Sequence, residues 1–173
     1  MRYFNGFSLQ NEIELFDFWI KGCSEYCIVG FSYGAIKALE YCLNSKNRID
    51  RLILLSPAYF NDRKDSFKKM QLQYFKKDKK RYIGNFLSNI SNGTSIDMDR
   101  YLKVGSIDEL KELLYYNWSL EKLKIVTQKG IKIEVILGDS DKIINSKEVL
   151  KFFKEVAITY YIKKANHILK EID

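Results

Sequence analysis

Five short runs of apolar residues along the chain predict strands. Runs of this length, bounded by turn-forming residues, are typical of buried strands. The third run ends in unbroken apolar residues before Ser56 and Pro57, which is typical of a parallel strand covered on both faces. The predicted strands cover residues 2–4, 27–31, 49–55, 131–137 and 157–162.

Between these runs, apolar side chains recur every three or four residues, the period of a helix with one buried face. This pattern predicts helices over residues 7–21, 33–43 and 146–156. From about residue 60 to about residue 130 the alternation of strand and helix stops, and helical patterns continue instead. Within that stretch Ser106 and Glu109 form a capping-box sequence, which indicates the start of a helix.

The order of the elements predicts an α/β fold. It is strand, helix, strand, helix, strand, a helical insertion, then strand, helix, strand and a last helix. Such alternation implies a mostly parallel sheet with helices on both faces. A chain of 173 residues fits a single domain over 1–173, with the insertion at about 60–130 expected to form a helical cap.

Charge is distributed unevenly along the chain. The formal net charge is +7, and residues 62–81 hold nine basic and three acidic residues, a net +6 in one segment. Such a field attracts an acidic partner, whether nucleic acid, an anionic membrane or an acidic protein. A solvated helix face in a lysine-rich protein explains the same charges equally well.

Cysteine content and hydropathy narrow the class of protein. Cys23, Cys27 and Cys42 lack the paired spacing of metal ligands, so buried reduced thiols are the favoured interpretation. No run of about 18 apolar residues predicts a membrane span, and the N-terminal residues reach a turn too soon for a signal peptide. One histidine and scattered carboxylates form no recognisable metal site. We therefore expect a cytoplasmic protein that needs no metal or organic cofactor.

A Gly-x-Ser-x-Gly sequence at residues 30–34 joins the second predicted strand to the next helix. In that context it predicts a sharp turn that exposes the Ser32 hydroxyl at the helix N-terminus. His167, the only histidine, and Asp141 also follow predicted strands, and the carboxyl ends of parallel strands meet at one edge. We therefore predict Ser32 as nucleophile, His167 as base and Asp141 as the acid that orients it, with Asp139 as the alternative acid.

An attacked carbonyl develops negative charge, which needs hydrogen-bond donors already in place. One predicted donor is the backbone N–H of Tyr33, at the start of the helix after the serine. The other is the N–H of Phe7 in the loop after the first strand, because Gly6 lets the backbone there turn toward the site.

These motifs resemble those of the α/β-hydrolase superfamily. Residues 29–35 resemble its nucleophile elbow, residues 137–144 the stretch that carries its acid at the second aspartate, and residues 164–167 its histidine loop. The chain order serine, aspartate, histidine agrees. Two features depart from the pattern: the chain starts directly at the strand before the oxyanion loop, and Asn5-Gly6 stands where the family has His-Gly.

The short length, the start Arg-Tyr-Phe-Asn-Gly-Phe at residues 2–7 and the small basic cap are similar to compact pimeloyl-[acyl-carrier protein] methyl ester esterases of biotin synthesis. The resemblance implies demethylation of a pimeloyl chain attached to its carrier, with acyl carrier protein as partner and neither nucleic acid nor membrane bound. A monomer is expected. Because acyl carrier proteins are acidic, the candidate residues for carrier docking are Lys68, Lys69, Lys76, Lys77, Lys80 and Arg81. The candidate residues for the acyl path are Phe67, Met70, Tyr74 and Phe75.

Two alternatives stay open at this point. One is a general hydrolase of small carboxylic esters or thioesters. The other is a catalytically inactive hydrolase scaffold that binds an acidic partner, including nucleic acid.

Overall fold

The computed structural model describes residues 1–172. One five-stranded sheet, with its strands in the order β1-β2-β3-β4-β5 and every neighbouring pair parallel, forms the centre of the fold. This confirms the predicted parallel α/β architecture. The strands are β1 (Arg2–Phe4), β2 (Cys27–Phe31), β3 (Arg51–Leu55), β4 (Lys132–Gly138) and β5 (Ile158–Ile162).

Helices connect the strands, and most of them lie between β3 and β4. A 3₁₀ turn at Glu12–Phe16 precedes the first helix, and another occupies Asp99–Tyr101. Among residues 1–172 no helix is both long enough and apolar enough to cross a membrane. The helices are α1 (Asp17–Ile20), α2 (Tyr33–Asn44), α3 (Asp65–Lys77), α4 (Lys79–Ile90), α5 (Ile107–Tyr115), α6 (Leu120–Gln128) and α7 (Ser146–Phe153).

Helical segments cover both faces of the sheet. Phe31 of β2 packs on one face against Phe16, with ring centroids 4.7 Å apart. Gly30, whose Cβ position would point to the other face, lies so close to α2 that an added Cβ would overlap Gly34 and Ala35. Because neighbouring residues of a strand point to opposite faces, α2 and the segment preceding α1 lie on opposite sides of the sheet.

The segment between β3 and β4 is anchored to the core by Trp118. Its ring is 2% exposed and packs edge-on against Phe153 of α7 at 5.3 Å. Its indole N–H donates a hydrogen bond to the carbonyl of Ala58, just after β3, at 2.9 Å. A large aromatic side chain with a satisfied polar group thus joins the loop before α6 to the end of the sheet.

The predicted helix over residues 7–21 is wrong in its first part. Residues 7–11 form a loop in which Ser8 and Asn11 have left-handed backbone, with φ of 58° and 59°. The cause is tertiary: the N–H groups of Lys103 and Gly105 donate to the carbonyl and the hydroxyl of Ser8 at 3.0 and 3.1 Å. These contacts from a distant segment override the local helical pattern.

The predicted last helix is also wrong for the part of the chain that the structure describes. After β5, residues 163–172 form turns closed by an antiparallel bridge between Ala165 and Glu171. Lys164 and Leu169 have left-handed backbone, with φ of 54° and 57°, which no α-helix allows. The buried side chain of Ile168 ties this segment to the core.

Candidate active site

Ser32 occupies a strained turn between β2 and α2. Its backbone has φ 52° and ψ −112°, a combination that residues other than glycine rarely adopt. Three hydrogen bonds hold it: its N–H donates to Leu55 at 2.9 Å, and its carbonyl accepts from Ala35 and Ala58 at 3.1 Å each. The serine therefore continues the sheet's hydrogen bonding while it opens the helix.

Close packing explains the second glycine of the motif. A Cβ added to Gly34 would overlap the backbone carbonyl groups of Phe4, the last residue of β1, and of Asn5, which follows it. Without a side chain at this position, the first turn of α2 approaches the end of β1 directly. The loop after β1, with the predicted oxyanion donor Phe7, is thereby brought next to Ser32.

The structure brings Ser32, His167 and Asp141 together in one hydrogen-bonded line. His167 Nε2 lies 3.0 Å from Ser32 Oγ, and His167 Nδ1 lies 2.6 Å from Asp141 Oδ2. The side chains of His167 and Asp141 are fully buried, and Ser32 is 1% exposed. Ser32 follows β2, Asp141 follows β4 and His167 follows β5, so the three meet at the carboxyl edge of the sheet, where parallel sheets place their sites.

Asp141 is oriented by its own loop. The N–H groups of Ile143 and Ile144 donate to its Oδ1 at 2.7 and 3.1 Å, which leaves Oδ2 for the histidine. Asp139, the alternative acid, is exposed and accepts a hydrogen bond from the Ser140 hydroxyl at 2.8 Å instead. Of the two aspartates, Asp141 is therefore the one that contacts His167.

This arrangement suits nucleophilic catalysis. An imidazole within hydrogen-bond reach of a serine hydroxyl can remove its proton, and a carboxylate on the other ring nitrogen fixes the tautomer that leaves Nε2 free to do so. The ring of Phe31 packs against His167 at 5.1 Å and covers the imidazole. Water is thus excluded from one side of the base.

The two predicted oxyanion donors come before and after Ser32 in the sequence. Phe7 is in the loop after β1, and Tyr33 is the first residue of α2. Within residues 1–172, the backbone N–H of neither residue donates a hydrogen bond to the protein. The side chain of Tyr33 leaves the site: its hydroxyl donates to Glu112 Oε2 at 2.6 Å, and burial, followed by this bond, raises the pKa of the phenol.

A cavity of about 730 Å³ opens above Ser32. Its walls combine apolar side chains with polar and charged ones, and they come from the loops after β1, β3 and β4 and from α3, α4 and α5. The apolar lining residues are Phe7, Phe60, Phe67, Phe86, Leu110, Leu113, Leu114 and Ile143. The polar and charged ones are Gln71, Tyr74, Lys77, Asp78, Arg81, Tyr82, Asn85, Asn89 and Lys142.

Part of the predicted carrier and acyl-path set lies at this cavity. Phe67, Tyr74, Lys77 and Arg81 line it, whereas Lys68, Lys69, Met70, Lys76 and Lys80 do not. The structure corrects the prediction that Phe75 lines the acyl path, because Phe75 is not among the residues that line the cavity. It is only 4% exposed and packs against Phe7 and Tyr82, because it lies on the face of α3 that turns toward the core.

Several cavity residues were missed from the sequence. The leucines of α5 have the spacing of an ordinary core stripe, and nothing in that spacing distinguishes a cavity wall from a core contact. Lys142 follows Asp141 directly, and its ammonium donates to Asn92 Oδ1 at 2.8 Å. Its place next to the acid was the one available signal for a role at the site.

The sequence matches no known family profile and no curated protein. Solved structures do share the fold. BioG from Haemophilus influenzae is 14% identical, with a TM-score of 0.62 over 96% of this chain and 87% of its own. A carboxylesterase of Nitrososphaera gargenis is 12% identical, with a TM-score of 0.60 over 94% of this chain and 65% of its own. Naproxen esterase from Bacillus subtilis is 16% identical, with a TM-score of 0.52 over 83% of this chain and 53% of its own.

These similarities establish the α/β-hydrolase fold for this chain. The chain spans 53% and 65% of the two esterases described above, so it is shorter than both of them. At identities of 12–16%, the likeness concerns the fold.

Proposed function

We propose that this chain is a serine carboxylesterase that hydrolyses the methyl ester of pimeloyl-[acyl-carrier protein] through an acyl-enzyme. The observation that carries the proposal is the line Ser32–His167–Asp141 beneath a cavity of about 730 Å³. A hydroxyl, an imidazole and a carboxylate at these distances perform acyl transfer in folds of this kind.

In the proposed reaction, Ser32 Oγ attacks the ester carbonyl while His167 Nε2 takes its proton. The N–H groups of Phe7 and Tyr33 stabilise the oxyanion, and His167 returns the proton to the departing methoxide, which leaves as methanol. A water molecule, deprotonated by His167, then attacks the acyl-enzyme, and His167 returns that proton to Ser32 Oγ as the acid is released.

The cavity supports a substrate with an alkyl chain. Five apolar side chains of α3, α4 and α5 line its wall and could contact such a chain: Phe67, Phe86, Leu110, Leu113 and Leu114. Burial of five methylenes contributes roughly 4 kcal/mol, at about 0.8 kcal/mol each. We propose that the helices between β3 and β4 act as the cap of a single domain and supply this binding energy.

Charge at the corner between α3 and α4 supports an acidic carrier. Lys76 and Lys77 end α3, Lys80 and Arg81 begin α4, and Lys77 and Arg81 also line the cavity. Lys69 is the weakest member of the proposed set, because its ammonium is paired with Asp65 at 2.7 Å. A carrier docked on this corner would present its acyl chain to the opening above Ser32.

The structural comparison agrees with a compact esterase. The sequence resemblance points to compact enzymes, and BioG is the one of the three solved structures described above whose length this chain nearly spans. The carrier and the pimeloyl chain are the finer part of the proposal, and they rest on the sequence resemblance, the cavity and the basic corner.

The first experiment tests the chemistry. Ser32→Ala is expected to reduce hydrolysis of a p-nitrophenyl ester by at least about 10⁴-fold and to abolish labelling by a fluorophosphonate. Ser56→Ala is the matched control, because Ser56 is also buried after a strand and its hydroxyl has no hydrogen-bond partner within residues 1–172. Activity retained by Ser32→Ala would eliminate the mechanism, and a wild type that is never labelled would favour an inactive scaffold.

The second experiment tests the substrate. The wild type is expected to turn over the carrier-bound methyl ester with a kcat/KM at least about tenfold above that of free dimethyl pimelate. The double variant Lys76→Glu with Lys77→Glu should lose that preference and keep its rate on the free ester. Lys21→Glu with Lys132→Glu makes the same change of charge at exposed positions near the opposite edge of the sheet and should keep the preference. Equal rates on both substrates would point to a general small-ester hydrolase.

A further inference from the structure

Glu12 is a buried acid that the proposed reaction does not use. It begins the 3₁₀ turn after the loop that carries Phe7, and it is 0% exposed. Burial raises the pKa of its carboxyl, since charge is poorly solvated there. A carboxyl at such a position lowers stability unless its hydrogen bonds compensate, so a leucine would fill the same space at lower cost.

Within residues 1–172, only one of the two oxygens of this carboxyl accepts hydrogen bonds. Its Oε1 accepts from the backbone N–H of Gly6 at 2.7 Å and from the Tyr3 hydroxyl at 3.1 Å. Its Oε2 is buried and has no hydrogen-bond partner within residues 1–172. The stronger of the two bonds therefore ends on the residue before Phe7.

Gly6 needs such an anchor. Glycine has more backbone freedom than any other residue, and here both of its backbone polar groups are held. Glu12 accepts from its N–H, and its carbonyl accepts from the N–H of Leu9 at 3.2 Å. In a planar trans peptide the Phe7 N–H points opposite to the Gly6 carbonyl, so fixing that carbonyl also fixes the direction of the Phe7 N–H.

We propose that Glu12 is a positioning residue: its carboxyl holds the N–H of Gly6 and, together with the Leu9 N–H on the Gly6 carbonyl, directs the Phe7 N–H toward the oxyanion. This role rests on the proposed function. It accounts for a buried acid that contacts the oxyanion loop through one oxygen and contacts neither His167 nor Ser32. Glu12 acts on the reaction only through the backbone of Gly6.

Three substitutions of Glu12 separate its hydrogen bond from its volume and charge. Glu12→Met keeps the length and removes the strong acceptor, and Glu12→Asp keeps the charge but withdraws the acceptor by one methylene. Glu12→Gln keeps an oxygen that can accept from Gly6. Glu14→Gln is the control, because Glu14 accepts from Arg100 and Tyr101 and does not accept from Gly6.

The assay is kcat and KM on a p-nitrophenyl ester, per active site counted by fluorophosphonate titration, below the melting temperature of each variant. We expect kcat to fall at least about tenfold in the Met and Asp variants with KM within about threefold of wild type, since loss of one oxyanion donor costs up to about 10²–10³. The Gln variant should recover most of kcat, and Glu14→Gln should match the wild type.

Each outcome bears on the proposal. A merely structural role would lower the melting temperature and the number of titrated sites and leave kcat per site unchanged, which would overturn it. A Gln variant as slow as the Met variant would also overturn it, and if Met fails to fold, the Asp and Gln variants make the same comparison. A wild type without esterase activity would refute the proposed function itself, whereas an active wild type with unaffected Met and Asp variants would refute only the role of Glu12.

Discussion

Replacement of Asp141 by asparagine should stop the reaction without changing the shape of the site. The two side chains have the same size, and the loop supplies a fixed reference for their orientation. The N–H groups of Ile143 and Ile144 donate to Oδ1 at 2.7 and 3.1 Å, and both bonds need an oxygen acceptor. The asparagine oxygen is therefore expected to stay on the loop, and its NH₂ group turns toward His167.

That orientation reverses the tautomer of the histidine. In the wild type, Asp141 Oδ2 lies 2.6 Å from His167 Nδ1 and holds the proton there, so Nε2 can accept from Ser32 at 3.0 Å. An NH₂ donor at the same place requires Nδ1 to accept, so the proton moves to Nε2 and the base is lost. Flipping the amide instead would abandon two loop bonds, at about 1 kcal/mol each, and would place two donors against two N–H groups. We expect kcat to fall by about 10⁴, the loss that a wrong tautomer causes in triads of this type.

The assay is steady-state hydrolysis of a p-nitrophenyl ester, with the Ser32→Ala variant as the background. Asp139→Asn is the matched control: it makes the same change of charge two residues away, at a side chain that contacts Ser140 and not the histidine. Its kcat should stay within about threefold of wild type. An Asp141→Asn enzyme within tenfold of wild type, or equal losses in the two variants, would refute the reasoning from the loop amides.

Three further predictions follow from the packing and charges. Gly34→Ala should lower the free energy of unfolding by about 3 kcal/mol or more, because its Cβ would overlap the backbone at the end of β1. Gly84→Ala, in the open middle of α4, should raise the free energy of unfolding by about 1 kcal/mol, and urea denaturation measures both changes. The difference in free energy of unfolding between wild type and Glu12→Gln should depend on pH, because burial raises the pKa of Glu12 in the folded state. As pH rises from the ordinary glutamate pKa through the raised one, the wild type should lose stability relative to Glu12→Gln. A wild type that gains stability relative to Glu12→Gln over that range would contradict this. The preference for the carrier-bound ester should weaken as salt is raised from 50 to 500 mM, with kcat on the free ester unchanged, and a preference insensitive to salt would exclude docking on the α3–α4 corner.

Two residues of the proposed triad, Ser32 and His167, could be predicted from local sequence alone. Gly30 and Gly34 flank a serine between a strand pattern and a helix pattern, and the structure shows that both glycines are required by close packing. His167 is the only histidine, so the choice of base did not depend on the fold. The choice between Asp139 and Asp141 did depend on it, since only the path of the loop after β4 decides which carboxylate reaches the imidazole.

The loop after β1 shows why other parts could not be predicted. The helical spacing of Ile13, Phe16 and Ile20 led to a helix predicted from residue 7. Ser8 instead adopts left-handed backbone, because the N–H groups of Lys103 and Gly105, almost a hundred residues later, donate hydrogen bonds to it. The cavity wall is hidden for the same reason. A stripe such as Leu110, Leu113 and Leu114 indicates a face of α5 that avoids water, but only the packing of α5 against α3 decides that part of this face borders a cavity.

Three strained turns of this fold lie at successive strand ends, on the edge of the sheet that carries the proposed site. Ser8, Ser32 and Ser56 follow β1, β2 and β3 in turn, and all three are buried with positive φ of 58°, 52° and 42°. Each is held by bonds from another segment: Ser32 donates to Leu55 at 2.9 Å, and Ser56 donates to Ile136 of β4 at 2.9 Å. Strain of this kind persists only where surrounding contacts outweigh it, and the sheet supplies those contacts at its carboxyl edge. The turn that presents Ser32 to His167 is therefore a property of the folded sheet, which implies that the nucleophile is in place before substrate binds.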